Sequence, residues 1–257
     1  MNKLVDLPKI CVSLSGGVDS MVLLHELVTS NKNKCEIIAV HINYNNRTTC
    51  DEEVKFVERY CEALCVRLYV KHITEMTRSR DSNRKEYEEY TRRLRFEEYK
   101  RHECPVLLGH NYEDTIENII SNISSKKNYH NLKGMKYETD ERGVTILRPY
   151  LKKSKDDIYK YARENSIPHL EDSTPKWSRR GKLRDSVIPT LEKHEPNFFK
   201  GLIDIVTCLD ENKEFIARNP DCVKLPSNFL NMKNALYCIS NKTIEHEIKK
   251  INCERFQ

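Results

Sequence analysis

Apolar and polar positions follow two alternating patterns along the first half of the chain. Short apolar runs, of which Glu36–Asn43 is the clearest, are typical of buried parallel strands. Between them, apolar residues recur every three or four positions, which is the period of an amphipathic helix. The predicted strands are 9–15, 36–43, 66–73, 105–109 and 145–150, and the predicted helices are 19–29, 51–64, 83–102 and 112–124. This alternation implies right-handed βαβ units and a parallel sheet, whose ligands bind at the carboxyl ends of the strands.

The pattern changes after Lys126. Helical spacing returns over 155–165, 182–192 and 198–218. Pro189 must bend or break the second of these helices, because proline cannot continue the hydrogen-bond ladder. The sequence supports no assignment for its last segment. We therefore expect an α/β domain over residues 1–150, a small helical extension over 151–218 and a tail of unknown structure over 219–257.

The most informative polar segment follows the first predicted strand and reads Ser-Leu-Ser-Gly-Gly-Val-Asp-Ser. A strand, a glycine turn and a helix in this order direct backbone N–H groups at an anion. The carboxylate in the loop suits a magnesium ion better than a bare phosphate. The alternative interpretation is an ordinary turn between strand and helix. It is the weaker one, because two of the chain's seven glycines stand side by side here. The predicted nucleotide-binding residues of this loop are Ser15, Gly16, Gly17, Val18, Asp19 and Ser20.

Polar side chains also follow two other predicted strands. His41 and Asn43 close the second strand, where they face either a nucleotide or simply water. His110, Glu113 and Asp114 follow the fourth strand and begin a helix. The helix dipole alone can account for acids in a first turn. A histidine beside two acids is also a candidate cluster for Mg²⁺ and general-base catalysis.

Two basic segments are candidate RNA contacts. One is a face of the predicted helix 83–102, where Glu88, Arg92 and Arg95 lie at i, i+4 and i+7, a pattern that a solvated helix with i,i+4 ion pairs explains equally well. The other is Lys176–Arg184, in which five of nine residues are basic and which holds the only tryptophan. Basic residues with an aromatic side chain suit RNA phosphates and bases, although a solvated loop explains the same composition. The RNA-contacting candidates are Arg92, Arg95, Arg179, Arg180, Lys182 and Arg184.

Composition narrows the class of protein. The chain is 38% hydrophobic and 32% charged, and no apolar run approaches the length that a membrane span requires. The N-terminal residues lack the apolar core of a signal peptide. Ten cysteines occur without any C-x-x-C pair, which favours free thiols in a reducing compartment. We expect a cytoplasmic protein with no membrane partner.

The loop spelling S-G-G-x-D-S resembles the PP-loop of the ATP pyrophosphatase superfamily. The ordered set S-G-G-V-D-S, H-I-N, E-x-x-x-R-R-L-R-F, G-H-x-x-E-D-x-x-E, L-K-G-M, R-P, E-D-S-T and R-x-x-L-R, which ends in I-P-x-L, resembles the tRNA(Ile)-lysidine synthetase family. The likeness runs from about Lys9 to about Leu202. It implies a parallel-sheet PP-loop ATPase fold, of the adenine nucleotide alpha hydrolase-like class, with a small helical C-terminal extension.

The resemblance also implies a function and a set of site residues. Such a ligase adenylates the wobble cytidine of an isoleucine tRNA, and the amine of free lysine then displaces AMP to give lysidine. ATP and Mg²⁺ are the implied cofactors, tRNA and lysine are the implied partners, and we also expect a homodimer. The implied catalytic residues are Asp19, His110 and Asp114, and the implied metal ligands are Asp19, Glu113 and Asp114.

The chain departs from the family pattern at four positions. The family usually has His where this chain has Tyr44 and Asp where it has Glu113, and it usually has Asn at Pro175 and Gly181. Two other functions therefore stay open. One is a PP-loop tRNA thiolation enzyme, which the absence of cysteine from residues 85–90 disfavours. The other is a degenerate relative that binds RNA or nucleotide without turnover.

Overall fold

The computed structural model describes residues 7–31, 35–46, 48–74, 84–126, 132–171 and 178–218. Its strands are β1 (Lys9–Ser13), β2 (Glu36–Asn43), β3 (Arg67–His72), β4 (Val106–Leu107), β5 (Glu138–Glu141) and β6 (Val144–Leu147). Its helices are α1 (Val18–Ser30), α2 (Cys50–Ala63), α3 (Arg84–Lys100), α4 (Tyr112–Ser124), α5 (Lys155–Glu164), α6 (Arg179–Lys182), α7 (Ile188–His194) and α8 (Phe198–Arg218). A π-helical turn, Leu183–Val187, joins α6 to α7.

The six strands form one sheet in the order β3-β2-β1-β4-β6-β5. Every neighbouring pair is parallel except β5 and β6, which are antiparallel. Strand order reverses at β1, which lies between β2 and β4. In open α/β sheets, the carboxyl ends of the strands at such a point form the crevice where ligands bind. The predicted parallel α/β sheet is therefore confirmed, and its switch point coincides with the glycine loop.

Two hydrophobic clusters cover the two faces of the sheet because successive side chains of a strand point to opposite faces. Val12 belongs to the cluster that includes residues of α1, α2 and α5. Its neighbour Cys11 belongs to the other cluster, which includes Phe96 and Tyr99 of α3. Both β1 side chains are fully buried. The apolar run of β1 thus anchors the loop that follows it from both sides.

The chain forms two compact units. Unit 1 comprises Met1–Thr115 with Met135–Ser173, and unit 2 comprises Ile116–Gly134 with Thr174–Gln257. This division differs from the boundary expected at residue 150, because the buried Ile158 of α5 belongs to the core of unit 1. Unit 2 has a small apolar cluster of its own, formed by Ile119, Leu132, Leu202, Ile203, Val206 and Leu209.

Most predicted elements match those of the structure within two residues at each end, and two departures stand out. The antiparallel strand β5 was not predicted. The expected helix 182–192 is divided into the π-helical turn and α7, and Pro189 lies in the first turn of α7. The predicted tail, 219–257, lies outside the described residues. None of the described helices is both long and apolar enough to cross a membrane.

Candidate active site

The glycine loop between β1 and α1 requires the residue type found at Gly16. Its φ of +86° lies in the left-handed region, where any residue with a side chain would be strained. A Cβ there would also lie 2.8 Å from Leu170 Cδ1, well inside van der Waals contact. The Leu170 N–H donates to the Gly16 carbonyl at 2.9 Å, so Leu170 contacts the loop through its backbone as well as its side chain. Gly16 therefore serves the close packing of the loop.

The two loop serines have different surroundings. Ser20 is buried; its Oγ accepts from the Ser15 N–H at 3.1 Å and donates to the Gly17 carbonyl at 3.0 Å. Ser15 is exposed, and its Oγ accepts from the Gly17 N–H at 3.3 Å. Gly17 is the N-cap of α1, and no side chain caps this helix. The first-turn N–H groups of α1 are thus available to an anion such as a phosphate.

Asp19 lies in the first turn of α1 with both carboxylate oxygens in contact. Asn111 Nδ2 donates to Oδ1 at 2.9 Å, and Lys155 Nζ lies 2.6 Å from Oδ2. The chain after β4 approaches closely at Gly109, where a Cβ would lie 3.0 Å from the Asp19 carbonyl carbon. The structure therefore brings Asp19, Asn111 and Lys155 together, of which only Asp19 was predicted from the sequence.

Asp114 and Glu113, the two predicted metal ligands besides Asp19, accept hydrogen bonds from backbone N–H groups at helix N-termini. Asp114 Oδ2 accepts from the Asn111 N–H at 3.0 Å, and the Asp114 N–H donates to Asn111 Oδ1 at 2.9 Å. This reciprocal pair is a capping box at the start of α4. Glu113 Oε2 accepts from the Lys155 N–H at 2.9 Å, at the start of α5. Burial raises the pKa of the Glu113 carboxyl.

No group of three or more His, Cys, Asp or Glu side chains in the described ranges is arranged to hold a metal ion. Asp19, Glu113 and Asp114 therefore do not form a preformed three-carboxylate site. Mg²⁺ is usually held by one or two carboxylates together with substrate phosphates and water. Asp19 fits that smaller role, because it lies beside the uncapped start of α1 and its side chain is 25% exposed.

His110 lies between Gly109 and Asn111, both of which approach Asp19. The structure therefore places His110 at the same edge of the sheet as the glycine loop. Its Nδ1 accepts a hydrogen bond from Arg148 Nε at 3.3 Å. Arg148 follows β6 and is buried. This hydrogen bond from a cation occupies Nδ1, so it bears directly on whether His110 can act as a general base.

The two polar residues of β2 are buried and hydrogen-bonded. The Leu14 carbonyl accepts from His41 Nδ1 at 2.8 Å, and burial lowers the pKa of His41. Asn43 Oδ1 accepts from the Asn45 N–H at 2.8 Å and so shapes the turn after the strand. Both side chains lie at the carboxyl edge of the sheet. Their direct contact with nucleotide stays a prediction.

The two RNA candidates of α3 differ in exposure. Arg92 is half-exposed, and its Nη2 lies 2.9 Å from Glu141 Oε2. Arg95 is more buried, and its Nε has no hydrogen-bond partner in the described part of the chain. The guanidinium of Arg95 also lies over the Phe96 ring, 5.8 Å from its centroid. Arg92 is thus the better placed of the two for a large ligand.

In unit 2, the predicted basic segment is partly visible. Ser178 caps α6 by accepting from the Gly181 N–H at 3.0 Å. Arg179 and Lys182 are exposed, whereas Arg180 pairs with the buried carboxylate of Glu117. Arg184 Nε lies 3.0 Å from Asp185 Oδ1. Pro175, Lys176 and Trp177 lie outside the described residues.

Comparison with known proteins identifies the family and several relatives. A model of the PP-loop domain matches residues 1–191. A tRNA(Ile)-lysidine synthase of Oceanobacillus iheyensis is 30% identical over 221 residues, which are 82% of this chain and 47% of that protein. One of Staphylococcus aureus (strain COL) is 29% identical over 215 residues, 80% of this chain and 49% of that protein. The chain spans about half the length of the curated relatives it matches.

A solved structure with a similar fold is the U34-tRNA thiolase NcsA from Methanococcus maripaludis with its [4Fe-4S] cluster. The TM-score is 0.66 at 18% sequence identity, and the match covers 82% of this chain and 75% of that one. At this identity the likeness concerns the fold alone. The expected resemblance to tRNA(Ile)-lysidine synthetases is confirmed by the curated relatives, and the PP-loop fold by the domain match.

Proposed function

Because this chain belongs to the PP-loop family, we propose that it is an ATP-dependent tRNA-modifying ligase of the lysidine-forming type. The reaction would adenylate the wobble cytidine of an isoleucine tRNA and join free lysine to it, with release of pyrophosphate and AMP. Curated relatives named tRNA(Ile)-lysidine synthase support this substrate class. The uncapped start of α1 beside Asp19 is the structural observation that carries the proposal.

The residues of the loop have distinct tasks in this proposal. The first-turn N–H groups of α1 bind phosphate oxygens, and Gly16 lets the backbone turn without a side chain in the way. Asp19 would hold Mg²⁺ together with the triphosphate, and that ion would neutralise charge on the phosphates. Lys155, which pairs with Asp19 Oδ2 and is partly exposed, would offer a positive charge to the same triphosphate.

The partners follow from charge and exposure. We propose that Arg179 and Lys182 contact the tRNA backbone, because both are exposed, whereas Arg180 pairs with the buried carboxylate of Glu117. Arg92 and Arg184 are further candidates for contact with tRNA. Free lysine is the proposed second substrate, and the tRNA and ATP substrates make the cytoplasm the expected location. We also propose that the protein forms a homodimer, which sedimentation equilibrium at several protein concentrations tests.

Release of pyrophosphate in the presence of bulk tRNA and lysine tests the proposed chemistry. Wild type should convert ATP to AMP and pyrophosphate rather than to ADP and phosphate. Asp19→Asn should lower this rate by on the order of 10²-fold or more, because a metal ligand is lost. Asp156→Asn is the matched control, since Asp156 is an exposed carboxylate in the first turn of α5. It should leave the rate unchanged.

The outcomes separate the three candidate functions. Normal turnover by Asp19→Asn would refute the assignment of the loop. ATP and tRNA binding with no pyrophosphate release by wild type would identify a degenerate binding protein. Pyrophosphate release that requires a sulfur donor instead of lysine would identify a thiolation enzyme.

A further inference from the structure

We infer that His110 acts as a neutral hydrogen-bond donor through its Nε2–H, and that Arg148 is the positioning residue that fixes this tautomer. This assignment replaces the general-base role expected from the sequence. The identity of the group that accepts the hydrogen bond rests on the proposed function. The tautomer itself rests on the structure alone.

The contact between Arg148 and His110 determines where the imidazole proton lies. Arg148 Nε donates to His110 Nδ1. A guanidinium has five donors and no acceptor, so Nδ1 must offer its lone pair. A neutral imidazole carries one proton, and that proton is therefore on Nε2. The ring can donate from Nε2, but it cannot also accept a substrate proton there.

Arg148 is held firmly enough to impose this choice. It is 4% exposed, and its Nη1 donates to the Lys136 carbonyl at 3.1 Å and to Thr139 Oγ1 at 2.8 Å. Its Nη2 lies 2.6 Å from Glu141 Oε1. These contacts tie the guanidinium to β5 and to the segment before it. Because each side of the guanidinium has a partner, Arg148 cannot turn away from His110 without losing several buried hydrogen bonds.

The position of His110 relates the tautomer to the reaction site. Its two neighbours in the chain approach Asp19, through the Gly109 backbone and the Asn111 amide. Asp19 is in the first turn of α1, where phosphates would bind. His110 therefore belongs to the loop that borders the proposed triphosphate site within unit 1.

The proposed first step requires a donor rather than a base. The C2 carbonyl oxygen of cytidine forms a bond to the α-phosphorus, and the bond from that phosphorus to the oxygen bridging to the β-phosphorus breaks. The electron pair leaves with pyrophosphate. The attacking carbonyl oxygen carries no proton, so no base is needed to activate it. A fixed donor at the phosphoryl oxygens stabilises the charge that develops there, an effect worth on the order of 10²–10³-fold in rate.

Nitrogen NMR of the histidine-labelled full chain tests the tautomer without any substrate. The His110 signals are assigned from their loss in His110→Gln. We expect Nδ1 to resonate as an unprotonated nitrogen and Nε2 as a protonated one. Arg148→Lys should mix the two tautomers if it folds. A protonated Nδ1 in wild type would overturn the inference, whatever the enzyme proves to catalyse.

Two isosteric variants test the donor role. The amide of His110→Gln can donate near the position of Nε2, whereas the carboxylate of His110→Glu can only accept a proton. Under the inference, the glutamine variant keeps pyrophosphate release within about tenfold of wild type. The glutamate variant loses on the order of 10²–10³-fold. ATP binding and thermal unfolding of each variant show that the fold is retained.

The opposite ranking, with His110→Glu more active than His110→Gln, would establish a general base and refute the donor role. If wild type itself releases no pyrophosphate, the proposed function fails and the donor role fails with it. The NMR experiment still decides the tautomer in that case, so the two failures are distinguishable.

Discussion

The contacts of Asp19 come from distant parts of the sequence. Asn111 and Lys155 are 92 and 136 residues away from it along the chain. Lys155 has no local signal, because lysine is mostly an exposed surface residue and a single one does not indicate a site. Asn111 has a partial one, since an Asn followed by an acid three residues later is typical of a helix N-cap. Sequence patterns located the loop and its carboxylate, but only the folded sheet shows what surrounds them.

The two loop glycines allow a matched test at the residue scale. Gly16→Ala places a Cβ at positive φ and against Leu170, and it should lower the free energy of unfolding by at least about 1–2 kcal/mol. Gly17 has φ −73°, and the nearest atom to its Cβ would be Ser15 Oγ at 3.5 Å. Gly17→Ala should therefore cost less than about 1 kcal/mol. Urea unfolding measures both, and equal losses would argue against the described loop conformation.

His41 predicts how stability depends on pH. Burial lowers its pKa below the ordinary value of 6.5, so the unfolded chain binds the proton more readily than the folded one. The contribution of His41 to stability is therefore complete above about pH 6.5 and is lost as the pH falls below it. His41→Asn keeps a donor for the Leu14 carbonyl but cannot titrate.

The measurement is the free energy of unfolding of wild type and His41→Asn between pH 8 and pH 5. Stability of wild type should fall more steeply towards pH 5 than that of the variant. His102, whose pKa burial also lowers, is present in both proteins and cancels in the comparison. Identical slopes would mean that His41 is not buried as described.

Among the helices and strands, apolar patterns predict the bounds correctly where one face or the whole of an element is buried. Strand β2 has the bounds that its apolar run predicts, and α4 and α8 also match their predicted ranges. Strand β5 reads Glu-Thr-Asp-Glu and has no apolar position, so no periodicity could reveal it. It forms because it pairs with the edge of β6. Pairing between strands is a tertiary effect that local patterns do not contain.

The capping box of α4 separates two roles of Asp114. Asp114→Ala removes the acceptor for the Asn111 N–H and should cost about 0.5–2 kcal/mol of stability. Asp114→Gln can still reach back to that N–H, as glutamine does in such boxes, but it carries no charge. We therefore expect Asp114→Gln to be nearly as stable as wild type in thermal unfolding.

Its rate of pyrophosphate release then reports the other role. A stable but slow Asp114→Gln protein would support the predicted participation of the carboxylate in catalysis or metal binding. A stable and fully active one would leave Asp114 with the helix cap alone, and that prediction would be wrong.

At the scale of the molecule, the proposed RNA contacts of unit 2 depend on charge. Arg180 is a poor choice for neutralisation, because its loss would leave the Glu117 carboxylate, which is only 7% exposed, without this ion pair. Removing one partner of a buried pair is strongly destabilising. Arg179 and Lys182 are exposed and can be changed together.

The double variant Arg179→Gln, Lys182→Gln should bind tRNA more weakly and with a flatter salt dependence. Two lost phosphate contacts correspond to a decrease of about 1–2 units in the slope of log K against log salt. The control is Lys152→Gln, Lys160→Gln, which removes two exposed charges from unit 1. ATP affinity should be unchanged in both. Equal slopes of log K against log salt for all three proteins would show that Arg179 and Lys182 are solvent-exposed residues without a role in tRNA binding.

The modified nucleoside shows directly whether this PP-loop protein forms lysidine. Purified protein is incubated with ATP, isotope-labelled lysine and bulk tRNA, and the tRNA is digested and analysed by mass spectrometry. We expect a cytidine derivative that carries the labelled lysine, formed by wild type but not by Asp19→Asn. A thiolated nucleoside, or unmodified tRNA despite ATP turnover, would contradict it.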